Sequence, residues 1–357
     1  MRAKHIKTAK LVVVKLGTGI LSDNQNRLAS SRIQQLAGQI VRAKKNGYGI
    51  VLVSSGAVGA GMEALGYQKR PTRLEELQAC AAVGQSKLMA LYQELFAAHS
   101  LQVAQVLLTH SDLEDHDRHL NARNTLIALL ERGVIPVINE NDTVSFTELT
   151  VGDNDKLSAL VSALLPADLL VLLTTADGLV RDYGKRDAKL ISTVRKIDAT
   201  TKKFAGGTQS ATSIGGMATK LEAAKIVVRA GIPMVIANGR VRGIVSNILA
   251  GKNVGTFFLP GADRLKGRKR WIAFFHHPKG VLVVDDGAKA ALRERGKSLL
   301  APGIVECTGE FVAGDVVKVC DCNGTEFARG ISKFAFDAIK NGAEKKVIVH
   351  RDNLVVL

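Results

Sequence analysis

The stretch LVVVKLGTG, residues 11–19, decides how the fold of this chain is interpreted. Its first six residues form an almost continuous apolar run, and Gly17 interrupts the run at its end. A strand that is buried on both faces of a parallel sheet has this composition, whereas a half-exposed strand alternates between apolar and polar residues. Similar runs recur at residues 49–55, 103–109, 134–139, 169–175 and 233–238.

Segments with helical periodicity separate these apolar runs. Within residues 30–47, Ile33, Leu36 and Ile40 share one face of a helix, and Gly47 marks its end. The alternation of strands and helices predicts an α/β fold with a mostly parallel sheet sandwiched by helices. Ligands of such folds bind outside the carboxyl ends of the strands. The other helical segments are residues 74–98, 118–132, 156–165 and 220–230.

The pattern changes after about Gly261. The remaining residues contain short apolar runs, glycine turns and one short helical segment at 287–295. A chain of 357 residues is long enough for two domains. We therefore predict a first domain at residues 1–261, a basic linker at 262–276 and a small β-rich domain at 277–357.

Composition limits the classes of partner. The formal net charge is +16, which suits either a patch for phosphate-rich ligands or general solubility. Aromatic residues make up 4% of the chain, which argues against a stacking platform for single-stranded nucleic acid. The four cysteines form no C-x-x-C motif, the first ten residues lack the apolar run of a signal peptide, and no stretch is long enough to cross a membrane. These features predict a cytoplasmic protein with reduced cysteines and no membrane contact.

Two loops that follow predicted strands are candidates for ligand binding. Lys15 stands at the tip of the first run, before the turn that begins at Gly17. Glycines let backbone N–H groups approach an anion, and the lysine adds a point charge. Ser54, Ser55 and Gly56 end the second run in the same manner. Each signal alone is weak, because glycine turns and close helix–sheet packing are common, but both loops must emerge at one edge of the sheet.

Two polar clusters lie further along the chain, Asn139-Glu140-Asn141-Asp142 and Asp153-Asn154-Asp155. In the first, Asp142 suits a substrate ammonium group, and a solvated Asx turn explains the segment equally well. Residues 143–151 alternate between apolar and polar, which predicts a β-hairpin that returns the chain to the same edge. The second cluster begins a helix, where Asp153 or Asn154 suits a helix cap and the helix N-terminus suits a substrate carboxylate.

Residues 206–220 form a glycine-rich loop that ends at a helix. Gly215, Gly216 and Thr219 precede Lys220 and suit a nucleotide phosphate at the helix N-terminus. Lys15 and Lys220 then stand on opposite sides of one crevice. This arrangement suits phosphoryl transfer, whose catalysis is mostly positioning and electrostatic stabilisation.

The motifs VVVKLGTGIL, VLVSSGAVGAG, VINENDTV, VGDNDKLSAL and SIGGMATK resemble, in order and spacing, the amino-acid kinase superfamily and specifically its glutamate 5-kinase family. The tail, through ALRERGKSLLAPGIVECTGEFVAGDVV, resembles the RNA-associated PUA module. The resemblance implies an ATP-dependent kinase that transfers the γ-phosphate to the side-chain carboxylate of L-glutamate and gives L-glutamyl 5-phosphate, the first step of proline biosynthesis. It implies ATP and Mg²⁺ as cofactors, with Mg²⁺ carried by ATP and no separate metal site on the protein.

The resemblance also implies roles for individual residues. Lys15 and Lys220 hold the phosphates, Asp153 orients the lysines or the magnesium shell, and the family commonly has Asp where this chain has Thr175. Asp177 is the candidate replacement for that acid. The implied glutamate-binding residues are Ser55, Asp142 and Asn154. The implied ATP-binding residues are Lys15, Thr174, Thr175, Ile214, Gly215, Gly216, Met217, Ala218, Thr219 and Lys220.

The resemblance further implies proline as a feedback inhibitor, a homo-oligomer, hand-off of the product to glutamyl-phosphate reductase, and RNA as a partner of the C-terminal domain. Two alternatives stay open at this point. One is a related kinase of another acid, such as aspartate or acetylglutamate. The other is an RNA-binding or RNA-modifying protein that acts through the PUA-like tail.

Overall fold

The computed structural model describes residues 2–23, 27–144, 153–165, 167–205, 216–261, 267–275, 278–341 and 346–357. The side chains of Asp153, Gly267 and Arg268 are not among the described groups. Most of the predicted hairpin at 143–151 lies outside the described residues, as do Ile214 and Gly215. The chain divides into two compact units, Met1–Arg264 and Leu265–Leu357.

The six predicted apolar runs are the strands of a parallel sheet in the first unit. The order of the eight strands found in its described part is β3–β4–β2–β1–β5–β9–β10–β8. Neighbours from β3 to β9 are parallel, and β10 runs antiparallel to β9. The strands are β1 Leu11–Leu16, β2 Gly49–Ser54, β3 Val103–Leu108, β4 Ile135–Glu140, β5 Leu169–Thr174, β6 Val180–Arg181, β7 Lys189–Leu190, β8 Thr193–Val194, β9 Met234–Asn238 and β10 Thr256–Phe258.

Helices flank this sheet, as the sequence predicts. In the helix α3, Ser30–Lys45, the side chains of Ile33, Leu36 and Ile40 are buried against the core, and Gly47 follows the helix with a φ of +87°. A positive φ is unstrained in glycine, which explains the stop at this position. The helices of the unit are α1 Arg2–Lys7, α2 Thr18–Leu21, α3 Ser30–Lys45, α4 Ala57–Ala64, α5 Leu74–Ala97, α6 His110–Glu114, α7 His116–Glu131, α8 Asp153–Leu164, α9 Ala199–Lys203, α10 Met217–Arg229 and α11 Ile244–Leu249.

The register of the central strands brings their carboxyl ends to one edge. Lys15 of β1 is aligned with Val53 of β2 and with Leu172 of β5. Just beyond the strands, the backbone N–H of Ser55 donates to Leu16 O at 3.1 Å, and the N–H of Gly17 donates to Leu173 O at 3.1 Å. These bonds extend the parallel pairing past the ends of the strands. The loops after β1, β2 and β5 therefore start side by side.

Helices α4 and α5 approach each other through glycine. A methyl group added at Gly61 would overlap the carbonyl oxygen of Cys80, and one added at Gly84 would overlap that of Ala57. Gly61 thus serves helix–helix contact, so the last glycine of the SSGAVGAG motif has a packing role. Gly56, which precedes α4, has a φ of +101° and makes the sharp turn out of β2.

The second unit has its own β-sheet and core. Its five-stranded sheet has the order β13–β11–β14–β15–β17, and its core includes Leu282, Val317 and Phe327. The helix that covers residues 267–274 packs against β15 and β17, and Arg329 donates to Ala273 O at 3.1 Å. The elements are α12 Gly267–Phe274, β11 Gly280–Val284, α13 Asp286–Arg293, β12 Leu299–Leu300, β13 Ile304–Gly309, β14 Val316–Cys320, β15 Glu326–Ile331, α14 Phe336–Lys340, β16 Val347–Val349 and β17 Leu354–Val356, with single 3₁₀ turns at Ala301–Gly303 and Arg351–Asn353.

The β-rich character predicted for the tail is therefore confirmed. The basic segment is helical from Gly267 onward and belongs to the second unit, while the domain boundaries drawn at 261 and 276 stay predictions. Among the described residues, no helix combines the length and apolarity that a membrane crossing requires. All four cysteines are free thiols.

Candidate active site

One buried carboxylate joins the two lysines of the crevice. Lys15 Nζ lies 2.8 Å from Asp155 Oδ1, and Lys220 Nζ lies 3.0 Å from Asp155 Oδ2. The hydroxyl of Thr219 lies 2.9 Å from the same Oδ2 and 2.9 Å from Gly216 O. The two cations predicted to stand across a crevice are thus brought to the two oxygens of one side chain.

Three elements deliver this group. Lys15 is on the central strand β1, Asp155 is in the first turn of α8, and Lys220 is in the first turn of α10, which packs against α8. The exposed fractions are 6% for Lys15, 0% for Asp155 and 5% for Lys220. Charges this deeply buried are costly unless they are paired, so the geometry of the three groups is tightly constrained. The cluster carries a net charge of one positive unit at the carboxyl edge of the sheet.

The neighbouring charges and burial shift the pKa values of Asp155 and Lys220. Burial raises the pKa of Asp155, but the charges and hydrogen bonds of Lys15 and Lys220 outweigh it and hold the pKa below its ordinary value. Burial lowers the pKa of Lys220, and Asp155 opposes that change. Asp155 therefore favours the ammonium form of Lys220, although the pKa of Lys220 still lies below its ordinary value.

A second polar group forms next to the first, around Asn154. Its Nδ2 donates to Ser55 Oγ at 3.0 Å and to Asn139 Oδ1 at 3.0 Å, and lies 3.4 Å from Ser54 O. Its Oδ1 is buried and has no hydrogen-bond partner among the described residues. An unsatisfied buried acceptor is costly, and a ligand N–H would satisfy it. Since Asn154 and Asp155 are consecutive, the first turn of α8 joins the polar group to the charged cluster.

Asp142 lies in the turn that follows β4. The turn is held by Asn141, whose side chain accepts from Thr143 Oγ1 at 2.8 Å and whose carbonyl oxygen accepts from Val144 N at 3.2 Å. Burial lowers the pKa of Arg70, and the nearby charge of Asp142 opposes this shift. Asp142 is half-buried, and its charge acts on Arg70, a cation of the loop between α4 and α5.

On the other side of β1, the ends of β5 and β9 form a third group. Thr174 is aligned with Asn238, and Asn238 Nδ2 donates to Asp177 Oδ1 at 2.9 Å. A methyl group at Gly19 would lie 2.9 Å from the side-chain methyl of Thr175, so Thr175 contacts the turn that follows β1. Asp177 is thus tied to β9, while Thr175 packs on the glycine turn.

Comparison with known proteins shows the family of the chain. Residues 10–238 match the model of the amino acid kinase family. The chain belongs to the amino acid kinase family. Residues 280–352 match the model of the PUA domain. The second compact unit therefore contains a PUA domain, which follows the amino acid kinase domain in the sequence.

Several full-length relatives of this amino acid kinase are glutamate 5-kinases. The chain is 44% identical to the glutamate 5-kinase of Geobacter sulfurreducens, with all of both chains covered. It is 44% identical to the glutamate 5-kinase of Vibrio vulnificus, with 98% of this chain and 96% of the relative covered. The structure of carbamate kinase from Giardia lamblia bound to AMP-PNP matches 71% of this chain and 99% of its own, with a TM-score of 0.51 and 18% identity. At that identity the structural match shows the fold alone.

Two residues of this amino acid kinase site were missed in the sequence. The carboxylate that contacts both lysines is Asp155, while the role of Asp153 that the resemblance implies stays a prediction, because its side chain lies outside the described groups. Asp155, Ser158 and Ser162 are all fully buried and follow the i, i+3, i+7 spacing of one helix face. That spacing was the available signal. Asn139, the other missed residue, ends an apolar run and carries no comparable mark.

Proposed function

We propose that this protein transfers the γ-phosphate of ATP to the side-chain carboxylate of L-glutamate and releases L-glutamyl 5-phosphate, as the first step of proline biosynthesis. The observation that carries the proposal is the cluster of Lys15, Asp155 and Lys220 beside the polar group of Asn154. The charged cluster suits phosphoryl groups, and the polar group around Asn154 suits a small polar substrate. The names of the full-length relatives support the same reaction.

The chemistry fits the residues present. A carboxylate is already a nucleophile and needs no general base, but it must approach a polyanion. Lys15 and Lys220 oppose that repulsion, and their charges act most strongly in a buried site. Asp155 holds both ammonium groups in place before the substrates arrive, so little reorganisation is needed at the moment of transfer.

ATP binding is proposed on the α10 side of β1. Gly216 precedes α10 without a side-chain cap, so the first N–H groups of the helix, from Met217 and Ala218, are available for phosphate oxygens. Thr174, Thr175, Ile214 and Gly215 complete the proposed contacts. The described residues contain no group of three or more metal-ligating side chains. Mg²⁺ fits this site as an ion bound mainly by the ATP phosphates, where it neutralises charge.

Glutamate binding is proposed on the other side, with Ser55 and Asn154 as polar partners and Asp142 as the partner of the substrate ammonium group. A carboxylate at this position favours a free amino acid over an N-acetylated one. This preference separates the proposal from a related kinase of acetylglutamate.

The decisive experiment incubates the protein with ATP, Mg²⁺ and L-glutamate, L-aspartate or N-acetyl-L-glutamate in turn, and traps acyl phosphate with hydroxylamine. We expect hydroxamate with L-glutamate and far less with the other two acids. A protein that is folded and forms no hydroxamate with L-glutamate would contradict the proposal.

Further partners are proposed with it. Proline is the expected feedback inhibitor, because it resembles the substrate and competes for the same crevice. We further propose a cytoplasmic homo-oligomer that passes its unstable product to glutamyl-phosphate reductase. The PUA match supports RNA as a partner of the second unit, and a salt-dependent affinity for RNA is the test of that assignment.

A further inference from the structure

A buried tyrosine lies directly behind the substrate-binding end of β2. Tyr92 of α5 is 1% exposed, and its ring is tilted against that of Phe96 at a centroid distance of 6.3 Å. Its hydroxyl lies 2.8 Å from Ser54 Oγ, and Ser54 is fully buried. Phenylalanine would fill the same apolar space, so what distinguishes the tyrosine at this position is its hydrogen bond.

The direction of this hydrogen bond follows from the neighbouring one. Ser54 Oγ donates to Ser55 O at 3.1 Å. A serine hydroxyl has a single proton, so Ser54 accepts from Tyr92 while it donates to the carbonyl oxygen of Ser55. Burial raises the pKa of Tyr92 to about 12, against a smaller lowering by the Ser54 hydrogen bond, so the phenol stays protonated as a donor.

The chain of donors ends at the residue that meets the substrate. Tyr92 donates to Ser54, and Ser54 donates to the backbone of Ser55. The Ser55 hydroxyl in turn accepts from Asn154 Nδ2 at 3.0 Å, and the same Nδ2 lies 3.4 Å from Ser54 O. Both residues at the end of β2 are therefore fixed from the core side by Tyr92 and from the crevice side by Asn154.

We propose that Tyr92 is a positioning residue for the amino-acid substrate, which acts through Ser54 to fix the place of the Ser55 hydroxyl. The inference rests on the proposed function, because it takes L-glutamate as the ligand of Ser55. Tyr92 is buried and is not proposed to contact either substrate. Its hydroxyl links α5 to the site by the hydrogen bond to Ser54.

The test replaces Tyr92 with phenylalanine, which keeps the ring and removes the hydroxyl. We expect Tyr92→Phe to raise the KM for L-glutamate about fivefold, the effect of one hydrogen bond. The kcat and the KM for ATP should stay near their original values, because the lost contact contributes equally to the ground state and the transition state. Tyr48→Phe is the matched control, since Tyr48 packs against the same core, and should leave all three constants unchanged.

A double-mutant cycle tests the route of the effect. If Tyr92 acts through Ser54, the variant that combines Tyr92→Phe with Ser54→Ala should raise the KM for L-glutamate no further than Ser54→Ala alone. If the increase in the KM for L-glutamate in the double variant equals the product of the two single-variant increases, Tyr92 does not act through Ser54. A lower melting temperature for Tyr92→Phe with an unchanged KM for L-glutamate would overturn the positioning role, as would equal increases in the KM values of both substrates. Failure of the unaltered protein to form glutamyl hydroxamate would overturn the proposed function and the inference together.

Discussion

At the scale of single residues, the site depends on how one carboxylate is shared. Asp155 has two oxygens, and each of them contacts a different lysine. The three groups are almost completely buried, so removing Asp155 leaves two unpaired positive charges inside the protein, whereas removing a lysine leaves one buried ion pair. Stability and catalysis are therefore coupled in this cluster, and variants must be chosen to separate them.

Lys220→Ala should reduce kcat by roughly 10²–10³-fold while the KM for L-glutamate changes by less than about threefold. The reason is that Lys220 is proposed to act on charge that develops during transfer. The measurement is steady-state kinetics with the hydroxamate assay. Lys225→Ala, on the same helix α10, is the control and should keep its activity, because Lys225 pairs with Glu222 outside the cluster. An increase confined to the KM would remove Lys220 from the transition state.

Asp155→Asn should destabilise the protein by about 3–5 kcal/mol at neutral pH, since two buried lysines lose their partner. The pKa of Asp155 in the folded protein lies below its ordinary value of 3.8. The stabilisation is thus complete above that value and is lost as pH falls through the folded pKa, because the unfolded chain takes up the proton first. Urea denaturation from neutral pH to pH values below 3.8 measures the free energy of unfolding of both proteins. The difference between Asp155→Asn and the original protein should become smaller as the pH falls.

Asp182→Asn is the matched control for this series. Asp182 forms an exposed pair with Lys185 at 3.2 Å, and its loss should change the free energy of unfolding by less than about 0.5 kcal/mol throughout. If the difference in the free energy of unfolding between Asp155→Asn and the original protein stays constant with pH, the carboxylate is not the ionised partner of the lysines.

At the residue scale, the end of an apolar run indicates Lys15 and Ser55 as candidates but does not single out Asn139, and within α8 the sequence does not separate Asp153 from Asp155. Lys15, Ser55 and Lys220 are predicted from their positions in the sequence. The structure places Lys15 and Lys220 in the charged cluster with Asp155, and Ser55 in the polar group around Asn154. Asp153 and Asp155 are two positions apart, which places them about 200° apart around a helix. Their order in the sequence does not say which of them faces the core, because that depends on how α8 packs.

At the scale of elements, apolar composition was enough to locate the strands but not to order them. All six runs are interchangeable as buried strands, so the order β3–β4–β2–β1–β5–β9 depends on helix packing that the runs themselves do not encode. The two-residue strands β6, β7 and β8 carry no periodicity and exist only through their partners. Helix starts were displaced for a local reason: α7 begins at His116 because Asp115 caps the N–H groups of Asp117 and Arg118.

The contact between α4 and α5 gives a prediction at this scale. Gly61→Ala should reduce the free energy of unfolding by about 2–3 kcal/mol, because the new methyl group meets the backbone of Cys80 and the helices must separate. Equilibrium urea denaturation measures the change. Gly38→Ala in α3 is the control: the methyl group finds its nearest neighbour at 3.9 Å, so the substitution should stabilise the protein by about 0.5–1 kcal/mol. If both substitutions change the free energy of unfolding equally, then α4 and α5 can accommodate the added methyl group without loss of stability.

At the scale of the whole molecule, the two units have separate sheets and separate cores. Every described group of the candidate site belongs to the first unit, Met1–Arg264. The sequence predicted this division from a change of pattern, since long helical segments give way to short strands and glycine turns. The net charge of +16 was less informative, because its lysines and arginines are scattered and a sum does not locate a patch.

A fragment that ends at residue 264 should therefore fold and retain kinase activity with L-glutamate. The reason is that Lys15, Asp155, Lys220 and their supporting helices need no residue from the second unit for the contacts described. Thermal unfolding establishes that the fragment is folded, and the hydroxamate assay measures its activity. A folded but inactive fragment would show that the second unit contributes to catalysis.

Asp155 also affects how readily Lys220 can react with the proposed product. The proposed product is an acyl phosphate, which acylates amines, and it forms beside Lys15 and Lys220. A lysine becomes a nucleophile when burial favours its neutral form, and burial acts on Lys220 in that direction. Asp155 favours the protonated amine, which has no lone pair to attack with. The same carboxylate that contacts both cations thus lowers the reactivity of Lys220 towards the proposed product.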